Sequence, residues 1–363
     1  MAQTLKSIGI GGFKSIADVD LPLNNINILI GANGAGKSNF ISVFKFLRQL
    51  AEGEGRFSIA VQESGGAERL LRYGSKETSV IIIQLNFSPY HYDVTLRSST
   101  DDNLFVALES VGVESAQNPP ISWTAIASGT KESNLKSAAK EDVGARYIHE
   151  AVQNWRVYHF HDTSSSAAVK KTSQINDNLF LREDAGNLAA YLYLLQEKHP
   201  KHYERIVRTV QLVVPMFRDF LLRPNPLNPE TIRLEWLNQQ SDYIFGASEL
   251  SDGSLRFICI ATMLLQPNRP DLILLDEPEL GLHPAAIQIL AGLLKKASAF
   301  SQLIISTQSA ALVSAFEPED IVVVEQKDKN TTFRRLNAAQ LGDWMVEYSL
   351  GELWEKNVLG GRP

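Results

Sequence analysis

The chain has 363 residues, 44% hydrophobic and 21% charged, enough for a full core and ordinary for a soluble globular protein. Its 35 Lys and Arg stand against 41 Asp and Glu, and the net charge of -6 excludes a global pull toward nucleic acid while leaving a local basic stripe open. The single cysteine, Cys259, excludes an internal disulfide, no apolar run approaches the ~18 residues of a membrane span, and no signal core precedes Gly11, so the expectation is a cytoplasmic protein.

Residues 5–30 alternate short β-type runs, "LKSIGIGGF", "IADVDLPL" and "NINILI", broken by Gly and by Pro-Leu-Asn-Asn. "GANGAGKS" follows at 31–38 and leads into a helix, because Phe40, Val43, Phe44 and Leu47 recur at helical spacing. "GEGRF" and "ESGGAER" read as loop, then "TSVIIIQLNF" and "YHYDVTLRS" as two strands. Residues 98–145 are polar and weakly periodic and read as a peripheral arm with long loops, "SAQNPP" among them. From 176 to 222 the pattern is helical, with Pro200 separating "GNLAAYLYLLQEKH" from "YERIVRTVQLVVPMFRDF". "RPNPLNP" at 223–229 breaks it and marks a subdomain boundary. Strand-like runs return at "IRLEWL" and "YIFGA". After them a helix from Ser254, the strand "DLILLDE", a helix from Ala285 and the strands "QLIIST" and "IVVVEQ" imply a parallel sheet carrying helices. No internal repeat or heptad series is present.

Gly31, Gly36, Lys37 and Ser38 fit G-x-x-x-x-G-K-[ST] in full, between a strand and a helix. Such a loop turns the backbone N–H groups of Asn33, Gly34, Ala35, Gly36 and Asn39 inward around phosphate oxygens. Lys37 then reaches the β- and γ-phosphates of ATP and Ser38 ligates Mg²⁺. "LILLDEPELGLHP" reads as a buried strand delivering Asp276 and Glu277 at its carboxyl end, where ligands sit in open α/β sheets. Asp276 would help hold Mg²⁺, and Glu277 would polarise the water attacking the γ-phosphate. Outside this context the pair would read as a solvated acidic turn.

Two further stretches narrow the choice among a pump, a repair machine, a switch and a metabolic kinase. "SELSDGSLRFICIATML" places Ser251 25 residues before Asp276, and "IISTQSA" places Gln308 32 residues after it. This order of P-loop, signature, Walker B and switch resembles the ABC-type ATPases, specifically the RecF/SMC-like branch. "GIGGFKSIADVDLPLNNINILIGANGAGKSNFI" adds an F-K-S-I strand typical of that branch. The resemblance covers residues 5–50 and 245–325. It implies an α/β fold: a P-loop NTPase with an ABC-type head, a mixed or parallel sheet with flanking helices, and an inserted helical subdomain. The expected division is 1–97 for the head lobe with the P-loop and 98–235 for an inserted arm and helical subdomain. Residues 236–335 would carry signature, Walker B and switch, and 336–363 a C-terminal tail.

By the same resemblance Ser251 and Gly253 would face the γ-phosphate held by a second subunit, giving a head-to-tail homodimer around ATP and Mg²⁺. A Ser-Asp-Gly-Ser helix start, with free N–H groups, suits that role, though it also suits an ordinary capped core helix. Glu279 to His283 would cross between the two sites. The family often has His where Gln308 stands. An amide can bond the γ-phosphate or the water but cannot be protonated, so slow turnover with weak pH dependence is expected. Gln84, after "VIII", is favoured over Gln62 as the Q-loop residue.

Residues 38–250 hold no heptads, which excludes a long-coiled-coil relative, and Ser251–Asp252–Gly253–Ser254 departs from the Ser-Gly-Gly-Gln of transporters. The sequence also resembles the OLD-like group of small standalone ATPases, including those of bacterial anti-phage systems. OLD-family nucleases continue into a Toprim domain, and residues 327–363 are too few for one. The effector, a nuclease or toxin, is therefore expected on a separate polypeptide. The rival readings are a RecF-like ATPase that binds DNA itself and a non-catalytic ATP-loaded scaffold. Trp344 and Tyr348, with Leu350, Leu353 and Trp354, form an aromatic C-terminal segment that either docks a partner or packs on its own head. His159, His161 and Asp162 raise a metal site on weak evidence, against a structural or nucleotide-proximal role. Arg205, Arg208, Arg218, Arg223 and Arg233 read as a solvated face, or else a nucleic-acid or partner surface.

Overall fold

Apolar runs without polar alternation form the centre of one sheet. In the computed structural model, which describes residues 3–115, 120–342 and 344–362, Trp155–Tyr158, Leu272–Asp276, Gln302–Thr307, Ile26–Ile30 and Ile321–Lys327 lie side by side in that order, all parallel. Asn330–Arg335 closes one edge antiparallel. Ile28, Ile30, Ile273, Leu275, Ile305 and Val323 face one core, while Leu29, Leu274, Ile304, Val322 and Val324 face another. A strand buried on both faces has no solvent side to mark with polar residues, hence the unbroken runs.

The helix Lys37–Glu52 packs on the second of these faces through Phe40, Val43, Phe44 and Leu47. Above it lies an antiparallel six-stranded sheet. Its order is Ile16–Pro22, Ser7–Phe13, Val80–Asn86, Tyr90–Ser98, Leu104–Glu114 and Ile121–Thr130. Ile81, Ile83 and Leu85 point down into the core, and Ile82 and Gln84 point out. The opposite face of the parallel sheet carries the helices Leu188–Lys198, Pro200–Val213, Asp252–Leu265 and Pro284–Ala297. Two small three-stranded sheets, built largely from residues 217–246, join that side.

The structure differs from the reading of 98–145 as a loop-rich arm. Leu104–Glu114 and Ile121–Thr130 are long strands continuing the antiparallel sheet, and Val143–Gln153 is a helix capped by Asp142. Two features erase the period-2 signal. A register shift at Glu109/Ser110 interrupts the alternation where a buried glutamate sits, and the edge strand is exposed along most of its length. Most of the "SAQNPP" loop lies outside the described residues. The "GEGRF" and "ESGGAER" stretch also contains a helix, Arg56–Glu63, which buries Phe57, Ala60 and Val61. Among the described residues no helix is long and apolar enough to cross a membrane.

Candidate functional site

The strand Ile26–Ile30 delivers Gly31 to the carboxyl edge of the parallel sheet, and the chain turns there into the helix from Lys37. Among the described residues no side chain caps that helix. Its N-cap is Gly36, at φ 114°, where a Cβ would lie 2.4 Å from the Thr331 hydroxyl. The turn thus requires glycine for both conformation and space, and the first amides of the helix stay free for an anion. Thr331 Oγ1 donates to Ala35 O at 3.0 Å, so the edge hairpin braces the loop from behind.

Lys37 is 5% exposed, and its Nζ donates to Gly31 O at 2.5 Å and Ala32 O at 3.0 Å, closing the loop on itself. Burial holds the Lys37 pKa below its ordinary value, and the carboxylates of Glu277, Asp276 and Glu279 oppose that drop without cancelling it. Ser38 Oγ donates to Asp276 Oδ2 at 3.2 Å, and Ser306 Oγ donates to Asp276 Oδ1. Asp276 ends its strand as expected. Glu277 follows in a left-handed conformation, φ 42°, its amide donating to Ser306 O at 2.9 Å. Gln308 Nε2 donates to Glu277 Oε1. P-loop, Walker B and switch residues are therefore brought together, with Asn39 alongside donating to Ser15 Oγ at 2.8 Å.

Beside Asn39 an open hollow of about 570 Å³ is lined by Lys14, Ser15, Glu68, Tyr73 and Gln326. The hard oxygens of Ser38 and Asp276, one hydroxyl and one carboxylate, fit Mg²⁺, which is bound through few protein ligands plus phosphate oxygens and water.

Gln84 is not part of this assembly. It sits on the outer face of the antiparallel sheet, donating to Asp93 Oδ2 at 2.6 Å, because strand alternation turns it away from Ile83 and the helix beneath. Gln62 is exposed near the end of a surface helix. Ser251 caps the helix Asp252–Leu265, its Oγ accepting from Ser254 N at 3.1 Å. Among the described residues neither Ser251 nor Gly253 hydrogen-bonds the P-loop of its own chain.

Glu279, expected in the loop crossing between two sites, and His161, expected as a metal ligand or in a structural or nucleotide-proximal role, both join this site, while Arg256 was not singled out from the sequence. Glu279 accepts from the Thr307 hydroxyl and the Gln308 amide through Oε1. Among the described residues its buried Oε2 has no hydrogen-bond partner, and burial raises its pKa. The strand before His159 ends at Tyr158, so the two histidines do not share a strand face. Among the described residues no cluster could hold a metal there, and His161 Nε2 instead meets Asp276 O at 2.7 Å. Arg256 is buried at the start of the signature helix and donates to three backbone carbonyls. The spacing Ser-x-x-x-x-Arg was visible, but nothing in a sequence says that an arginine binds carbonyls.

Of the arginine group, Arg223 and Arg233 both pair with Glu235, and Arg208 pairs with Glu204. In the C-terminal segment Leu350, Leu353 and Trp354 are buried against the chain's own head while Trp344 is 51% exposed.

The architecture has solved counterparts. One is described as the SmcHead bound to the C-winged helix domain of ScpA, with TM-score 0.57, 17% identity, and coverage of 93% of this chain and 98% of that one. Another is the Smc head domain with an extended coiled coil bound to the C-terminal domain of ScpA, from Pyrococcus furiosus. Its TM-score is 0.53 at 16% identity, covering 94% and 98%. At such identity the likeness shows the fold alone, that of an Smc head with an α/β core, in line with the fold expected from the sequence. No match is found among curated protein sequences. The family model described as "AAA domain, putative AbiEii toxin, Type IV TA system" matches residues 26–314, which span the P-loop, signature, Walker B and switch, and the chain belongs to that family.

Proposed function

We propose that the protein is an ATP-hydrolysing conformational switch that closes a head-to-tail dimer on ATP. The observation that carries this reading is the convergence of an uncapped P-loop helix, Ser38 on Asp276, and Gln308 on Glu277 at one sheet edge. The uncapped amides at the start of the helix and Lys37 take the phosphates, whereas the Ala35 amide, expected to face them, donates to Ala32 O at 3.2 Å. Lys37 exchanges its bonds to the Gly31 and Ala32 carbonyls for phosphate oxygens. Ser38 and Asp276 would hold Mg²⁺, which would supply charge neutralisation for the phosphates. Glu277 accepts the proton of the attacking water, and the Gln308 amide holds the carboxylate in place for it. The products are ADP and phosphate. The hollow beside Asn39 is the place for the nucleoside.

Ser251 and the amides at the start of its helix stand apart from their own P-loop and offer an anion site to a second copy. The family description names a toxin system. That supports a sensor component of bacterial anti-phage defence, with a nuclease or toxin on a separate chain as output. Closure couples to that output through differential affinity for the two states.

The test is the solution mass of Glu277→Gln by light scattering, with and without Mg-ATP, beside Ser251→Arg in the same background. The expected result is doubling of mass on ATP in the first protein and none in the second, with hydrolysis in Glu277→Gln down about 100-fold or more. ATP binding without any mass response overturns the dimer switch. Undiminished hydrolysis overturns the role of Glu277.

A further inference from the structure

The carbonyl of Asp276 opens the peptide unit that leads into Glu277, and its orientation sets where the Glu277 side chain begins. Glu277 is held at φ 42°, a conformation that costs a non-glycine residue energy and persists only where its surroundings impose it. One constraint is the Glu277 amide on Ser306 O, at the other end of the same peptide unit. The other is His161. A carbonyl can only accept, so the Nε2 of His161 at 2.7 Å carries the proton and donates it. Both ends of the Asp276–Glu277 peptide are thereby pinned.

His161 is in turn fixed from the signature helix. Arg256 Nε donates to Phe160 O at 2.9 Å, its Nη2 to His161 O at 3.2 Å, and its Nη1 to Leu280 O in the loop after Glu277. One buried guanidinium thus ties the helix that begins with Ser251, the segment carrying His161 and the loop leaving Walker B. Gly253 packs so closely under that loop that a Cβ would lie 2.2 Å from Gly281 O. Movement of the signature helix cannot leave His161 behind.

We propose that His161 is a positioning residue for ATP hydrolysis, fixing the Asp276–Glu277 peptide. Arg256 links it to the signature helix, so that the half-site a chain offers its partner and the half-site it uses itself are set together. The inference rests on Glu277 being the hydrolytic base. A second copy docking at Ser251 then changes not only the partner's nucleotide contacts but also the aim of Glu277 in the same chain.

The experiment compares His161→Phe, His161→Gln, Arg256→Lys and the double variant His161→Phe/Arg256→Lys with wild type and Glu277→Gln. It reads ATP affinity, kcat and amide exchange of Glu277 in nucleotide-free protein. Phe fills the ring volume without a donor, and Gln can return an N–H near the Nε2 position. Expected are unchanged ATP affinity, kcat lower by about 30- to 100-fold in His161→Phe, recovery of most of that loss in His161→Gln, and faster exchange at the Glu277 amide. The double variant should lose no more than the worse single one, because both break one linkage. Should Arg256→Lys fail to fold, the amide exchange in His161→Phe and the recovery in His161→Gln decide the positioning role. Normal kcat in His161→Phe, with Glu277→Gln inactive, overturns the positioning role while leaving the base intact. Additive losses overturn the link to the signature helix. Full activity in Glu277→Gln removes the reading beneath both.

Discussion

Single residues in this head are held by polar contacts that burial makes costly to lose. Glu109 shows it away from the nucleotide site. It is fully buried under the antiparallel sheet and accepts from Tyr92 at 2.6 Å, Ser133 at 2.6 Å and the Asn134 amide at 2.8 Å. Burial raises its pKa, and these three donors oppose the rise without cancelling it. A carboxyl with a folded pKa above its unfolded one binds its proton more tightly in the native state. It therefore stabilises the fold at acid pH and loses that contribution as pH rises through the raised value. Relative to Glu109→Gln, wild type should lose stability as pH climbs from the ordinary carboxyl range into that window. Denaturant midpoints of both proteins across acid to neutral pH check this, and a difference of opposite slope contradicts it. At this scale the sequence was most readable where one chemistry demands one residue type. Lys37 and Ser38, named from the loop motif, Asp276 and Glu277, named from the end of a buried strand, and Gln308, named from the family resemblance, meet in space. Gln84 was named from its place at the end of an apolar run, and the strand's alternation points it to the wrong face.

Elements were legible in proportion to how uniformly they are buried. The doubly covered strands announced themselves as "INILI", "LILLD" and "IVVV", and the helix Lys37–Glu52 by its apolar stripe. The strands 104–130 did not, since a bulge, a buried carboxylate and an exposed edge removed the period. The signature helix is an intermediate case. Its N-cap was readable, but the reason for Gly253 was not, because that reason is the carbonyl of Gly281 from a distant loop. Gly253→Ala should therefore push that loop and helix apart, costing about 1–3 kcal/mol of stability. ATP affinity at the P-loop should persist while ATP-dependent closure fails. Thermal melts with nucleotide titration and light scattering measure the three effects, and a variant that closes normally would show that the packing there tolerates displacement.

For the whole molecule, binding of ATP only to the native state must raise stability by mass action. At a hundredfold excess over Kd the gain is about 2.7 kcal/mol, visible as a higher melting temperature. Lys37→Ala should abolish that gain and change the melt without nucleotide less than it changes the response to ATP, since the hydrogen bonds of the ammonium are to the Gly31 and Ala32 carbonyls of the loop itself. A retained ATP shift in this variant would place nucleotide binding elsewhere. The strand order carries a consequence for how the protein is made. The strand Ile26–Ile30 lies between Gln302–Thr307 and Ile321–Lys327, and neither neighbour exists until synthesis has passed residue 302. During translation at roughly 5–20 residues per second, the phosphate loop therefore waits tens of seconds on an unpaired apolar strand. A ribosome stalled before residue 300 would release a chain with a complete P-loop sequence and no sheet to hold it, a natural client for chaperones.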